Sequence, residues 1–140
     1  MVTEDVKQYF LEHGRVATIA TNRRNAGPNM SPLWFYWDPQ EQVFLISTFE
    51  GAAKVKTLRR DPLMSLLIDD PLNNLGVYVL VYGRGEIIGP GKEADAPSLQ
   101  LIKKYRYTDE GSLQHWKEIN EDGQRVVIRM TPDQWLWRDV

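Results

Sequence analysis

Six short segments of this chain alternate between apolar and polar residues with a period of two. They are rich in β-branched and aromatic residues, as strands are, and run from Val16 to Thr21, Asn29 to Asp38, Val43 to Thr48, Leu63 to Asp69, Val77 to Ile88 and Gln124 to Met130. A small sheet with this many strands removes its exposed edges by closing on itself. We therefore predict a mainly β fold with flanking helices, in which six strands form a small barrel.

The segments between the strands predict a few helices. A first helix is capped by Thr3 and ends at Gly14. Further helices are predicted over Gly51 to Arg60, Ala96 to Tyr105 and Ser112 to Ile119. Within the longest strand, Gly83 and Gly85 predict a bulge or a barrel corner.

Length and composition exclude several classes of protein. With 140 residues, the chain is predicted to form a single domain over residues 1–140. It has no cysteine, which fits a reducing compartment and predicts a cytoplasmic protein. No segment approaches the ~18 apolar residues of a membrane span, so no membrane partner is expected. The net charge of -2 argues against a nucleic-acid partner, because nonspecific duplex binding depends on many contacts to phosphate.

A local basic segment stands out against this acidic background. Four bases fall between residues 54 and 60, just after the hydroxyls of Ser47 and Thr48 and the glycine at position 51. A strand end followed by a basic helix start is a plausible phosphate site, since the free N–H groups of a helix start favour an anion. The alternative is a solvated basic face with Ala53, Val55 and Leu58 packed inward.

The aromatic segment Met30-Ser31-Pro32-Leu33-Trp34-Phe35-Tyr36-Trp37 is a second candidate. Pro32 cannot pair fully within a sheet, so it indicates an edge where backbone groups are free to bond a ligand. The alternative is an ordinary strand whose aromatic side chains fill a core or a dimer contact.

Side chains that catalyse reactions on their own are not evident. The two histidines, His13 and His115, are far apart and lack partners at metal-ligand spacing, so no metal is assigned. Without cysteine, a nucleophile elbow or a phosphate-binding glycine loop, any reactivity is expected to come from a cofactor. The catalytic residues stay unknown at this level.

The order of these segments resembles the pyridoxamine 5'-phosphate oxidase-like family of flavin-binding split β-barrels, which includes a branch that uses the deazaflavin coenzyme F-420. The resemblance covers residues 10 to 137. It is carried by residues 17–21, Gly27-Pro28, Ser31-Pro32-Leu33-Trp34, Ser47-Thr48, Lys54 with Leu58-Arg59-Arg60-Asp61-Pro62, Tyr82-Gly83-Arg84-Gly85, and Arg129-Met130-Thr131-Pro132 before Trp135 and Trp137.

The resemblance implies a homodimeric six-stranded split barrel that binds FMN in a groove between subunits. The phosphate would be held by Ser47, Thr48 and Lys54, and the ring would lie along residues 31–34 and be covered by Tyr78 or Trp137 of a partner. Relatives often carry Arg where this chain has Ala52, so Lys56 or Arg59 would have to replace that contact. The predicted cofactor-binding residues are Ser31, Pro32, Leu33, Trp34, Ser47, Thr48, Ala53, Lys54, Lys56, Tyr78 and Trp137.

Three functions remain open at this level. The first is an FMN- or deazaflavin-dependent oxidoreductase acting on a small organic substrate, with FMN favoured because no further basic cluster is available for a polyglutamate tail. The second is a flavin carrier or sensor without turnover. The third is a barrel that stacks single-stranded nucleic acid on exposed aromatic side chains, which the acidic net charge disfavours.

Overall fold

The computed structural model describes residues 2–70, 76–105, 114 and 124–139. Its elements follow one another in the order α1 (Glu4–His13), β1 (Ala17–Thr21), β2 (Asn29–Leu33), β3 (Phe35–Asp38), β4 (Val43–Phe49), α2 (Ala53–Arg60), β5 (Leu63–Ile68), β6 (Val77–Ile88), a 3-10 turn (Lys92–Ala94), α3 (Asp95–Lys104) and β7 (Arg125–Asp139). No helix of the described part is long and apolar enough to cross a membrane.

The strands form one antiparallel sheet in the order β2-β1-β5-β6-β7-β4-β3. Within the described part of the chain the sheet has seven strands, so the prediction of six is wrong. The predicted strand from Asn29 to Asp38 divides at Trp34, and its halves β2 and β3 pair with different neighbours, β1 and β4. These halves are the two ends of the sheet order, yet a single residue joins them. The sheet must therefore curl until its ends meet, which is consistent with the predicted split barrel.

The last strand is longer than predicted, since β7 continues past Met130 to Asp139. Its pairing with β6 shifts register between Tyr82 and Gly83. A Cβ atom at Gly83 would lie 2.1 Å from the carbonyl oxygen of Thr131, so only glycine fits this close approach. The irregularity predicted from the glycines is confirmed, and it lets β7 pair along the whole of β6.

The interior of the curled sheet is the main core. It is filled by alternate residues of the strands, among them Ile19, Phe44, Ile46, Leu66 and Val79. The helix α1 begins at Thr3, whose hydroxyl accepts the N–H of Val6 as predicted, and it buries Phe10 in this core.

A second apolar cluster lies on the opposite face of β4. It combines Val43, Leu45 and Val127 of the sheet with Ala94 and Leu101 of the α3 region. Here α3 spans Asp95–Lys104, close to the predicted helix. The helix α2 begins at Ala53 rather than at Gly51. Of the helix predicted over residues 112–119, the described residues include Gln114 alone, which is helical. The two clusters show that β4 is covered on both faces.

Candidate functional site

A cavity of about 310 Å³ lies between α3 and the sheet, beside the break between β2 and β3. Its walls combine four of the predicted site residues with four others, and they are Val16, Pro32, Leu33, Trp34, Ser47, Leu101, Ile102 and Arg125. Most of these side chains are apolar or aromatic. Ligand sites of proteins typically have this volume and this mixture of apolar walls and few polar groups.

Backbone groups next to Trp34 are held by the end of α3. The hydroxyl of Tyr105 accepts the N–H of Phe35 at 3.0 Å and donates to the carbonyl of Arg15 at 2.6 Å. The Tyr105 ring also stacks on Trp34, with centroids 4.2 Å apart and planes 6° from parallel. Burial raises the pKa of the Tyr105 hydroxyl to about 12, so it stays a neutral donor. Trp34 is therefore fixed as a wall of the cavity.

Lys104 also bonds the backbone of Phe35. Its ammonium donates to the carbonyl oxygen of Phe35 at 2.9 Å and lies 3.4 Å from the centroid of the Phe35 ring. Burial lowers the pKa of Lys104 to about 7. Lys104 and Tyr105, at the end of α3, thus bond the backbone of Phe35 at the start of β3. Among the described strands, β3 pairs only with β4.

Pro32 lies in β2, which among the described strands pairs only with β1. The prediction that this proline marks a sheet edge is confirmed, because β2 is a terminal strand. Ser31 points to the other face of β2 from Pro32, toward the core, where it pairs with Ile19. Its Oγ is buried, with no hydrogen-bond partner in the described part of the chain. Ser31 does not line the cavity, so any contact with a ligand there would come from its backbone.

The neighbouring hydroxyls of Ser47 and Thr48 lie on opposite faces of β4, because side chains alternate along a strand. Ser47 shares the face of Val43 and Leu45 and lines the cavity. Thr48 shares the core face of Phe44 and is buried. The two hydroxyls that the sequence places side by side are therefore separated by the strand.

Among the described residues that line the cavity, Arg125 is the charged one, and no sequence pattern pointed to it. It is the first residue of β7 and pairs with Phe49 of β4. The guanidinium donates from Nη1 to Ser47 Oγ at 3.0 Å and lies 4.5 Å from the centroid of the Phe49 ring. Only 9% of Arg125 is exposed. A cation is thus held beside a hydroxyl in a mainly apolar cavity.

The basic helix α2 forms a separate part of the predicted site. Its first residues are not capped by a side chain. Lys54 is half-buried, whereas Lys56 is exposed. Ala53 is also exposed, so the alternative that packed it inward is wrong for this residue, although Val55 and Leu58 are buried.

The other bases of α2 are already engaged. Arg59 forms a two-pronged ion pair with Glu50, in which Nη2 donates to Oε2 at 2.8 Å and Nη1 to Oε1. The pair lowers the pKa of Glu50 and raises that of Arg59. Arg60 donates to the carbonyl of Asn22. Arg59 is therefore a poor candidate for the additional phosphate contact that the resemblance implied.

The two residues predicted to cover a ring lie away from the cavity of this chain. Tyr78 is half-buried in β6 and pairs with Arg138. Trp137 packs edge-on against Phe10, with ring centroids 5.6 Å apart. Its ring is also parallel to that of Trp135, with centroids 6.3 Å apart. Neither lines the cavity, so any contact with a ligand there would have to be made by a second copy.

Comparison with known proteins supports the resemblance drawn from the sequence. A similar structure, of a conserved hypothetical protein from Mycobacterium tuberculosis, is 23% identical, with a TM-score of 0.76 over 99% of this chain and 86% of that one. An F-420 reductase is 22% identical, with a TM-score of 0.68 over 92% and 94%. General stress protein 26 from Bacillus anthracis is 22% identical, with a TM-score of 0.64 over 93% and 88%. At these identities the likeness shows a shared fold.

The family itself follows from the sequence match. The model of the family described as pyridoxamine 5'-phosphate oxidase matches residues 3–138, which is nearly the whole chain. The resemblance predicted from the order of the motifs is thereby confirmed, and the chain belongs to the pyridoxamine 5'-phosphate oxidase family.

Proposed function

We propose that this protein is a flavin-dependent oxidoreductase that binds FMN between two copies of the chain and acts on a small organic substrate. The family binds FMN. When bound, this cofactor accepts and donates electrons or hydride, so the chain itself needs to bind it, orient it and exclude water. The observation that supports the proposal best is that Lys54 is half-buried at the start of α2.

No carboxylate among the described residues neutralises the positive charge of Lys54. Lys54 is half-buried in the first turn of α2, and within the described ranges no acidic side chain pairs with it. The neighbouring Arg59 and Arg60 are both engaged. A half-buried cation at an uncapped helix start is well suited to a phosphate monoester, because the helix dipole and the charge act together.

The edge of β2 and the cavity next to it suit the flavin ring. The walls at Leu33 and Trp34 are apolar, and no strand of the described sheet pairs with the outer edge of β2. The isoalloxazine ring is planar, with a polar edge that can bond backbone groups. A ring lying along residues 32–34 would therefore find both kinds of contact.

A second copy of the chain would complete this site. On the outer face of the sheet, directly paired residues form a mainly apolar row across five strands, made of Pro32, Thr18, Leu67, Leu80 and Leu136. Each of them retains some exposure in the single chain. Nearby Met30 and Tyr82 are 63% and 39% exposed. Because Pro32 belongs to this face and also lines the cavity, a copy docked here would lie at the mouth of the cavity.

Titration of the apo-protein with FMN and with riboflavin, followed by flavin fluorescence, tests the proposal. Lys54→Ala should weaken FMN binding about ten- to a hundredfold, as expected for the loss of a bond between charged groups. It should leave riboflavin, which lacks the phosphate, unchanged. Lys103→Ala is the control, because this exposed lysine of α3 does not line the cavity, and it should leave both affinities unchanged.

Two results would contradict the proposal. If the parent protein binds neither flavin, the chain is not a flavoprotein. If Lys54→Ala weakens FMN and riboflavin equally, or neither, the phosphate is not held by Lys54 and α2 is only a solvated basic helix.

The deazaflavin coenzyme F-420 is the second candidate, favoured by the structural likeness to an F-420 reductase. Its phosphate and tricyclic ring would use the same contacts. We expect FMN to bind more tightly, because the described residues offer no further basic cluster for a polyglutamate tail. Competition between the two cofactors for the apo-protein decides this, and oxidation of reduced nicotinamide nucleotide by the loaded protein separates an enzyme from a carrier.

The homodimer has its own test. Light scattering should give a dimer at micromolar concentration, and Leu80→Glu should shift it toward the monomer, because a charge would be buried in the contact. Lys103→Glu, an exposed change on α3, is the control. A parent protein that is monomeric in solution would overturn the shared site.

A further inference from the structure

The guanidinium of Arg125 is held in place from two sides. Ser47 Oγ accepts one of its N–H groups at 3.0 Å, and the ring of Phe49 lies against it at 4.5 Å. Both partners belong to β4, the strand that pairs with the first residues of β7. A planar cation that is held in this way keeps a fixed orientation with respect to the cavity.

The surroundings of Arg125 favour binding of an anion. Among the described residues that line the cavity, those other than Arg125 and Ser47 are apolar or aromatic. An electrostatic contact is stronger in such a site than in water. The guanidinium also matches the geometry of carboxylate and phosphate, to which it can donate two parallel hydrogen bonds.

We propose that Arg125 and Ser47 form an oxyanion-binding subsite at the polar end of this cavity. It takes the carboxylate or phosphate of a small ligand whose apolar part packs against the walls at Val16, Leu101 and Ile102. The volume of about 310 Å³ suits a ligand with one ring and one acidic group rather than an extended chain.

This subsite differs from the phosphate site proposed at Lys54. Ser47 lies on the face of β4 that packs against α3, whereas Thr48 lies on the core face. Lys54 belongs to α2 and does not line the cavity. If the cofactor phosphate is bound at Lys54, the oxyanion at Arg125 belongs to the substrate, which is then a small organic acid. This last step rests on the proposed function, while the binding of an oxyanion does not.

The test is a calorimetric titration of the full-length protein with benzoate and with benzyl alcohol, a neutral ligand of similar shape. Arg125→Gln should weaken benzoate binding about ten- to a hundredfold and leave benzyl alcohol within about twofold. Arg129→Gln is the matched control, because Arg129 lies on the same strand and pairs with Glu41 at 3.6 Å. It should leave both ligands unchanged. Circular dichroism checks that each variant is folded.

The subsite is refuted if the parent protein does not bind benzoate, or if Arg125→Gln leaves benzoate unchanged or weakens both ligands equally. Should Arg125→Gln fail to fold, Arg125→Lys takes its place. This variant keeps the positive charge but lacks the planar guanidinium that donates two parallel hydrogen bonds, so we expect about a tenfold loss of benzoate affinity. Unchanged benzoate affinity would count against the subsite.

The flavins distinguish the two sources of the oxyanion. If Arg125→Gln removes the advantage of FMN over riboflavin and Lys54→Ala does not, the subsite is real but holds the cofactor phosphate, and the assignment to the substrate is wrong. If the parent binds benzoate through Arg125 but binds no flavin, the subsite stands and the proposed function fails.

Discussion

Lys104 should make the stability of this protein depend on pH. Its ammonium is largely enclosed between α3 and the Phe35 ring and bonds the Phe35 carbonyl. Burial lowers the pKa of Lys104 from 10.5 to about 7. Between these values the unfolded chain binds a proton at Lys104 that the folded chain does not, so the free energy of unfolding rises with pH across this window. Below pH 7 the full penalty applies, and above 10.5 it is absent.

The size of this effect follows from the pKa difference. At about 1.4 kcal/mol per pKa unit, the lowering corresponds to at most about 5 kcal/mol. Contacts with a carbonyl oxygen and with a ring face stabilise the charged form, and they reduce the penalty. We therefore expect Lys104→Met to stabilise the protein by about 2 to 5 kcal/mol at pH 6 and by much less at pH 10. In this variant the Phe35 carbonyl can only share the hydroxyl hydrogen of Tyr105 with the Arg15 carbonyl, at 3.1 and 2.6 Å.

Urea unfolding at pH 6, 8 and 10, followed by tryptophan fluorescence, measures this difference. Lys103→Met is the control, because Lys103 is the exposed neighbour on α3 and its replacement should have a small effect that does not change with pH. If the difference between Lys104→Met and the parent is the same at pH 6 and pH 10, the ammonium of Lys104 is not desolvated by folding.

Three further substitutions test the packing of the sheet. Thr21→Val should raise the free energy of unfolding by about 1 kcal/mol in urea unfolding, because the Oγ1 of this fully buried residue lacks a partner in the part of the chain described. Ser31→Ala should likewise leave stability equal or slightly higher, with unchanged riboflavin affinity in fluorescence titration. Gly83→Ala should lower the unfolding free energy by about 2 kcal/mol or more, because its Cβ would overlap the Thr131 carbonyl. Gly51→Ala, which meets no atom within 4 Å, is its control and should be nearly neutral.

Local signals predicted most of the fold. The period of two located the strands, and Thr3 located the start of α1. Pro32 indicated a sheet edge because a residue without an N–H cannot be paired on both sides, and β2 is a terminal strand. These predictions succeeded because each depends on the chemistry of a few neighbouring residues.

The division of one predicted strand at Trp34 depends on distant parts of the chain. The residues on both sides of Trp34 have strand character, so no local signal separates them. The break arises because β2 pairs with β1 while β3 pairs with β4, and because Tyr105 and Lys104 hold the Phe35 backbone from α3. Tyr105 lies 70 residues from Phe35 in sequence. The alternation of residues within the strand therefore does not reveal this contact.

The charged residues of the candidate site also depend on contacts between distant parts of the chain. The sequence placed the positive charge of the site in α2, where four bases cluster, but clustering measures only neighbours along the chain. Two of those bases, Arg59 and Arg60, are engaged by Glu50 and Asn22. Arg125, by contrast, is a single base at a strand start and reaches the cavity only through the pairing of β7 with β4. Sheet pairing rather than distance in sequence therefore decides which charged side chain lines the cavity, and for Arg125 that pairing is the register between β4 and β7.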